Sequence, residues 1–310
     1  MQRVPSLFSA LKVAVDRDRA PGRLFPNAQC EIEGHGATFL GALFQGQFTT
    51  RRGERLGRRL AERVVAGGYP AALVRNAPRR RGAWYRGYIE TLVQRDVRSL
   101  ARIASLDALP RLLALAAGQT ARLLNVSDLA GPFQLSRPTI RDYATLLEQV
   151  FLIEELPPWH TNRLSRLVKS PKLQLGDTGL AAALLGLDAA SLYEDRETYG
   201  QLLDTFVLGE LRRLASGFEE EIRFHHFRAK DGYEIDVVLE RAGRKLAGIE
   251  VKASSTVTTA DFRGLCKLAG AAGEHFSAGV VLYVSRTPSC LASAVAKSPD
   301  AEQARPWRFP

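Results

Sequence analysis

The sequence predicts a mixed α and α/β protein, with a helical front half and an α/β back half. Three observations carry this reading. Apolar residues recur at helical spacing over 53–66, 84–103 and 109–117. A helix, a tight turn, a second helix and a strand follow one another over 124–156. From residue 200 a helix, three strands, a helix and a strand succeed one another, which is the element order of an α/β core. A chain of 310 residues has room for two or three domains. The pattern divides it at 1–83, 84–160 and 161–310.

Residues 1–50 are rich in Gly and Pro and weakly periodic. The helix over 53–66 is stopped by Gly67-Gly68-Tyr69-Pro70. From Trp84 to about Ile103, residues Tyr88, Leu92, Val93, Val97 and Leu100 form an apolar stripe. A further helix is expected from Leu109 to Ala117. Ser127 is positioned to cap a short helix starting at Asp128, and Ser136 a longer one from Arg137 to Gln149, with Pro138 tolerated in its first turn. The strand Val150-Phe151-Leu152-Ile153 completes the layout of a winged helix-turn-helix. In such a module the start of the second helix enters the major groove. Arg137, Thr139 and Arg141 are therefore the nucleic-acid-facing candidates, with docking of a protein partner or a second copy as the competing use.

In the back half, Lys172-Leu173-Gln174-Leu175 reads as a strand and Thr178 to Leu185 as a helix ended by Gly186. An amphipathic helix follows from Gly200 to Leu214. The strands are expected at 222–227, 233–239, 246–253 and 278–284, with a helix at 259–270 before the last. Two of these strands are acidic. Alternation puts Glu234 and Asp236 on one face of the first, and Glu250 and Lys252 on one face of the second. Arg241-Ala242-Gly243-Arg244 joins them as a polar turn.

Carboxylates and a lysine on neighbouring strands suit phosphodiester hydrolysis. Mg²⁺ takes oxygen ligands, one or two from protein and the rest from water and phosphate. Asp236 and Glu250 are the expected metal ligands. Lys252 would orient the attacking water or stabilise charge on the phosphate. Glu210, on the preceding helix, is the first choice for an additional catalytic carboxylate, and Asp204 the second. Glu234 is a further ligand or a partner for Lys252. The competing reading is a set of exposed cross-strand ion pairs.

Composition narrows the classes. Apolar content is 45%, as in a globular protein, and no apolar run reaches the length of a membrane span. Cys30, Cys266 and Cys290 are too scattered for a zinc pattern or a disulfide framework. With no signal-peptide pattern in Met1 to Ser6, a cytoplasmic protein without membrane contact is expected. The net charge of +10 is concentrated at the front: residues 1–100 carry 18 Lys and Arg against 8 Asp and Glu, and the rest carry 25 of each. Arg51-Arg52, Arg55, Arg58-Arg59 and Arg79-Arg80-Arg81 are the clusters. They fit a phosphate-rich partner or a plainly solvated surface.

Several segments keep their order in a known family: Gly67-Gly68-Tyr69-Pro70, Tyr88-Ile89-Glu90-Thr91, Arg95-Asp96-Val97, Asn125 to Leu129 and Leu156-Pro157-Pro158-Trp159. They continue with Pro171-Lys172-Leu173, Asp177-Thr178-Gly179-Leu180, Glu234-Ile235-Asp236 and Ile249-Glu250-Val251-Lys252. On these, roughly residues 60–290 resemble prokaryotic AAA-type ATPases with a C-terminal domain of unknown function. The resemblance implies a restriction-endonuclease-like α/β domain behind a winged helix, and ATP as a cofactor of the family. The sequence departs from the family in having no Gly-x-x-x-x-Gly-Lys-Ser/Thr phosphate-binding loop. Gln2-Arg3-Val4-Pro5 resembles the piece that follows the family's acidic Walker B strand. The front therefore reads as a truncated ATPase remnant: ATP as a cofactor and ATPase activity are not expected, with an ATP-binding fragment without ATPase activity as an alternative.

Overall fold

The computed structural model describes residues 26, 39–45, 56–97, 108–133, 135–162, 170–254, 256–284 and 292–296. Most of the expected ATPase remnant, Arg51, Arg52, Arg55 and the basic residues of 163–169 lie outside these.

The helical half contains α1 (Phe39–Gln45), α2 (Arg58–Ala66), α3 (Pro70–Leu73), α4 (Pro78–Thr91), α5 (Ala108–Gly118), α6 (Val126–Ala130) and α7 (Arg137–Gln149). Leu60, Ala61 and Val64 form the buried face of α2, which ends at Gly67 with φ 69°. Pro78 starts α4 at a position where its missing N–H costs nothing. The helix continues into a π-helical turn, Leu92–Val97. Because α4 runs unbroken through residues 83 and 84, the boundary expected there falls inside a helix.

After α5, the chain at 121–124 pairs with a later strand before entering α6. Asn125, rather than Ser127, caps α6, its side chain accepting from the Ser127 N–H. Ser136 caps α7 as expected, accepting from the Thr139 N–H at 3.2 Å. Val150 and Phe151 form the turn after α7, with Phe151 at φ 59°, and the strand begins only at β1 (Ile153–Leu156). β1 pairs antiparallel with β2 (Lys172–Leu175), Leu156 opposite Lys172, and Leu123 bridges to Lys172 from the other side. The hairpin thus crosses the expected 160/161 boundary and ties β2 to the helical half.

Next come α8 (Thr178–Leu185), α9 (Ala189–Glu194) and α10 (Arg196–Ser216), followed by β3 (Ile222–Arg228), β4 (Glu234–Arg241), β5 (Leu246–Lys252), α11 (Arg263–Ala272), β6 (Phe276–Tyr283) and β7 (Ala292–Ala296). The strands form one sheet in chain order β3 to β7, antiparallel except for β5 beside β6. A parallel pair needs a crossover, and α11 supplies it. On one face, Val237, Leu239, Ile249 and Val251 share a buried cluster with Leu203, Phe206 and Val207 of α10. On the other, Ile235, Val238 and Leu246 pack with Leu265 and Leu268 of α11. The mixed helix and α/β organisation holds, and β4 and β5 are interior strands. No helix among the described residues is long and apolar enough to cross a membrane.

One buried carboxylate locks the helical half together. Asp177 caps α8, its Oδ1 accepting from the N–H groups of Gly179 and Leu180 at 2.9 and 3.1 Å. The same oxygen accepts from the Tyr85 hydroxyl at 2.9 Å, and Oδ2 accepts from the Gly68 N–H at 2.8 Å. The fit leaves no space for side chains: a Cβ on Gly67 would sit 2.2 Å from Asp177 Oδ1, and one on Gly179 2.4 Å from the Tyr85 oxygen. The motifs Gly67-Gly68-Tyr69-Pro70 and Asp177-Thr178-Gly179-Leu180 are therefore two sides of one joint.

Candidate functional site: a carboxylate and lysine cluster at the β4–β5 hairpin

Two residues of β4 oppose one of β3 at a single point. His225 pairs with Val238 and Phe227 with Ile235, so Asp236 and Val237 together face His226. This is a β-bulge, which re-aims side chains by breaking alternation. Its effect is visible in the packing: Ile235 joins the layer under α11, whereas Val237, two residues on, joins the layer under α10. Opposite the bulge, His226 turns its backbone outward. It donates its N–H to the Pro157 carbonyl and accepts from the Trp159 N–H.

Asp236 sits in this bulge, beside β5. Its Oδ2 accepts the Val251 N–H at 3.0 Å, and its Oδ1 accepts from Lys172 Nζ at 3.0 Å. Val237 pairs with Ile249 across the hairpin, so continuing the register by one residue sets Asp236 across from Glu250. Glu250 Oε1 accepts from Lys252 Nζ at 2.6 Å, while Glu250 Oε2 is buried with no hydrogen-bond partner. Asp204 of α10 completes the group, within electrostatic reach of Asp236, Lys172, Glu250 and Lys252. A buried chain of hydroxyls sets its position: Thr205 donates to Gln174 of β2 and shares a hydrogen bond with Thr120.

The electrostatics follow from burial. Glu250 is pushed up to about 8, first by desolvation and then by Asp236, with Lys252 pulling the other way. Asp204 is raised well above the usual carboxylate range by desolvation and by Asp236. Burial disfavours the charge on Lys172, yet Asp236, Asp204 and Glu234 outweigh it and the lysine is raised. Lys252 behaves likewise, with Glu250 overcoming the cost of burial. Buried next to Lys172, His226 is lowered to about 4 and stays neutral.

The structure brings together Asp236, Glu250 and Lys252, as the sequence suggested, and it reassigns the helix-borne member. Glu210 pairs with Arg213 at 2.8 Å, and the other arm of Arg213 lies 3.8 Å from Asp177, away from the hairpin. Six residues separate Glu210 from Asp204, which is ~240° around a helix, so the two carboxylates point different ways. Glu234 pairs with Arg228 at 3.2 Å and approaches Lys172 at 3.9 Å, taking the role expected toward Lys252 to other cations. Lys172, read from sequence as the first residue of a strand, is the second lysine of the cluster. No local signal marks it: the strand 172–175 alternates polar and apolar residues like a half-exposed one, yet all four are buried.

Toward a metal ion the donors fit in number and type. Asp236 and Glu250 would be the oxygen ligands, and the unsatisfied Glu250 Oε2 is the atom a hard cation would take. Among the described residues no three His, Cys, Asp or Glu groups are close enough to hold one ion. The protein share would then be two carboxylates, a usual number for Mg²⁺ beside a phosphate. On α7, Arg137 and Arg141 are exposed, whereas Thr139 is half-buried and its hydroxyl is engaged with Ser136 at 2.7 Å. The first two remain available to a partner, and the third belongs to the helix cap.

Two family models match the chain, both described as domains of unknown function: DUF8612 over residues 57–191 and DUF4143 over residues 199–296. The chain is also similar to two uncharacterized proteins, Rv2008c of Mycobacterium tuberculosis and Mb2031c of Mycobacterium bovis. Each is 29% identical over 259 residues, covering 82% of this chain. The chain spans 58% of the length of these curated relatives. No solved structure matches.

Proposed function

We propose that residues 196–296 form a divalent-metal-dependent phosphodiesterase unit of restriction-endonuclease-like type, acting on nucleic acid. One observation carries the reading: a buried, partnerless carboxylate oxygen on Glu250 stands beside Asp236, Asp204 and two lysines. Like charges forced together out of water are costly, and a divalent cation relieves that cost. Asp236 and Glu250 would hold Mg²⁺, which supplies Lewis-acid chemistry when bound. Lys172 and the Val251 N–H fix the Asp236 carboxylate, and Asp204, raised above the usual carboxylate range by burial, stands beside it. Lys252, one-third exposed, is the cation within reach of a phosphate. The order α5, paired segment, α6, α7, β1, β2 supports a winged-helix-like module, with Arg137 and Arg141 at the exposed start of α7.

The test is nicking of supercoiled plasmid in Mg²⁺ or Mn²⁺. Asp236→Ala and Lys252→Ala are each expected to lose at least ~100-fold in rate, the scale of one electrostatic contributor. Glu210→Ala should match wild type. Equal nicking by all three variants would remove the assigned site.

A second reading has its own support: both lysines are already paired, Lys172 with Asp236 and Lys252 with Glu250, as in a structural ion network. It predicts no cleavage and no thermal response to either metal. No ATP turnover is expected from this chain in a coupled assay, since it lacks the phosphate-binding loop. Turnover that co-purifies with the protein through successive columns and survives in the peak fraction would overturn that expectation.

A further inference from the structure

We propose that Lys172 stands where a second divalent ion would sit, so that the carboxylate cluster takes up a single metal. The inference rests on the metal-site reading above and adds to it the stoichiometry and the residue that sets it.

Metal-dependent phosphodiester cleavage uses either one divalent ion or a pair ~3.5–4 Å apart. A pair needs carboxylate oxygens on both sides of a shared ligand. Both oxygens of Asp236 already carry a donor, Oδ2 the Val251 N–H and Oδ1 the Lys172 ammonium, each at 3.0 Å. Glu250 is 8% exposed, accepts from Lys252 at Oε1 and keeps Oε2 without a partner. The opening for a cation is therefore at Glu250. A second ion would need Asp236 Oδ1 together with Asp204, and the Lys172 ammonium occupies that oxygen within the field of Asp204 and Glu234.

The two lysines differ in what they are free to do. The Lys252 side chain is 34% exposed and that of Lys172 only 6%. Lys252 ends β5, so it can swing toward water or a phosphate and leave Glu250 Oε1 to a metal. Lys172 has no such exit. Its backbone is held from both sides, by Leu156 of β1 and by the bridge from Leu123. An ammonium withdrawn from Asp236 would be a buried charge with no partner. Kept in place, it repels a divalent ion brought to the same oxygen. Lys172 is thus a positioning residue: it holds Asp236 for one ion and denies it to another.

The test counts Mn²⁺ on the full chain, after stripping with EDTA and desalting, by the loss of the free-ion electron paramagnetic resonance signal. Wild type and Lys172→Arg should each take up about one Mn²⁺ per chain, and Lys172→Met about two. The two ions in Lys172→Met should be magnetically coupled, a gain that misfolding cannot mimic. Lys172→Gln gives the same reading if the methionine variant does not fold, and the wild-type count decides without any variant. Two ions on the wild type would overturn the proposal and leave the metal site standing. So would one ion or none on Lys172→Met and Lys172→Gln beside one on the wild type. No uptake by the wild type up to ~1 mM Mn²⁺ would overturn the metal-site reading itself, and this inference with it.

Discussion

Replacing Asp177 with Ala is expected to destabilise the helical half by ~4 kcal/mol. The carboxylate is 2% exposed and accepts from Gly68, Tyr85, Gly179 and Leu180. Truncation leaves several of these donors buried without an acceptor, each costing ~1–3 kcal/mol where water cannot enter. Loss of the α8 cap contributes ~1 kcal/mol of that total. The Tyr85 hydroxyl retains the Ala66 carbonyl at 2.9 Å, which limits the damage. Thermal unfolding should shift down by ~10 °C for a unit of this size. Asp177→Asn should cost about half as much, because an amide keeps one acceptor but turns an N–H toward an existing donor. An unchanged urea midpoint for Asp177→Ala would show that the joint contributes nothing.

Glu250→Gln is expected to flatten the pH dependence of stability and to abolish stabilisation by metal. The sign follows from proton binding. Glu250 titrates near 8 when folded, against ~4.3 for a free glutamate. Between those values the folded state holds the proton and the unfolded state does not. Stability from this group is therefore complete below about pH 4.3 and is lost as pH rises through 8. In EDTA the wild type should melt progressively lower from pH 5 to pH 8, and Glu250→Gln should flatten that trend. Asp204, raised in the same sense, leaves a residual slope in the variant. His226 acts oppositely: lowered to about 4, it favours folding above ~6.5 and costs stability as pH falls toward 4. Adding Mn²⁺ at pH 8, at ~100 times its dissociation constant, should stabilise the wild type by ~2.7 kcal/mol and the variant hardly at all. An identical response of both proteins to Mn²⁺ would take Glu250 out of the metal site.

The sequence made much of this visible. Helix stops at Gly67 and Gly186, the Ser136 cap and the hairpin of β4 and β5 all follow from short-range chemistry, and they stand where expected. The residues that eluded it share a physical reason, namely dependence on contacts distant in sequence. The helix α10 is buried almost all round, with Leu202, Leu203, Thr205, Phe206, Val207 and Leu208 all inside. Periodicity then gives no face to choose between Asp204 and Glu210. Lys172 reaches its partner Asp236 across 64 residues, so nothing local marks it as more than a surface lysine. The bulge at Asp236 is invisible to a period-two pattern because the pattern assumes no extra residue. The turn between β4 and β5 uses Arg244 at φ 61° as its left-handed residue, although Gly243 was the obvious candidate.

Lys172 lies inside the first matched region, 57–191, while Asp204, Asp236, Glu250 and Lys252 lie inside the second, 199–296. Cut between them, the second piece would carry three crowded carboxylates against a single lysine. Lys172 of the β1–β2 hairpin is the cation that the second piece would lack. Separate production of 199–296 should yield a fragment that is soluble near pH 5 and unravels toward neutrality. Adding back the first region should rescue it. The two regions are then coupled in stability through one ion pair.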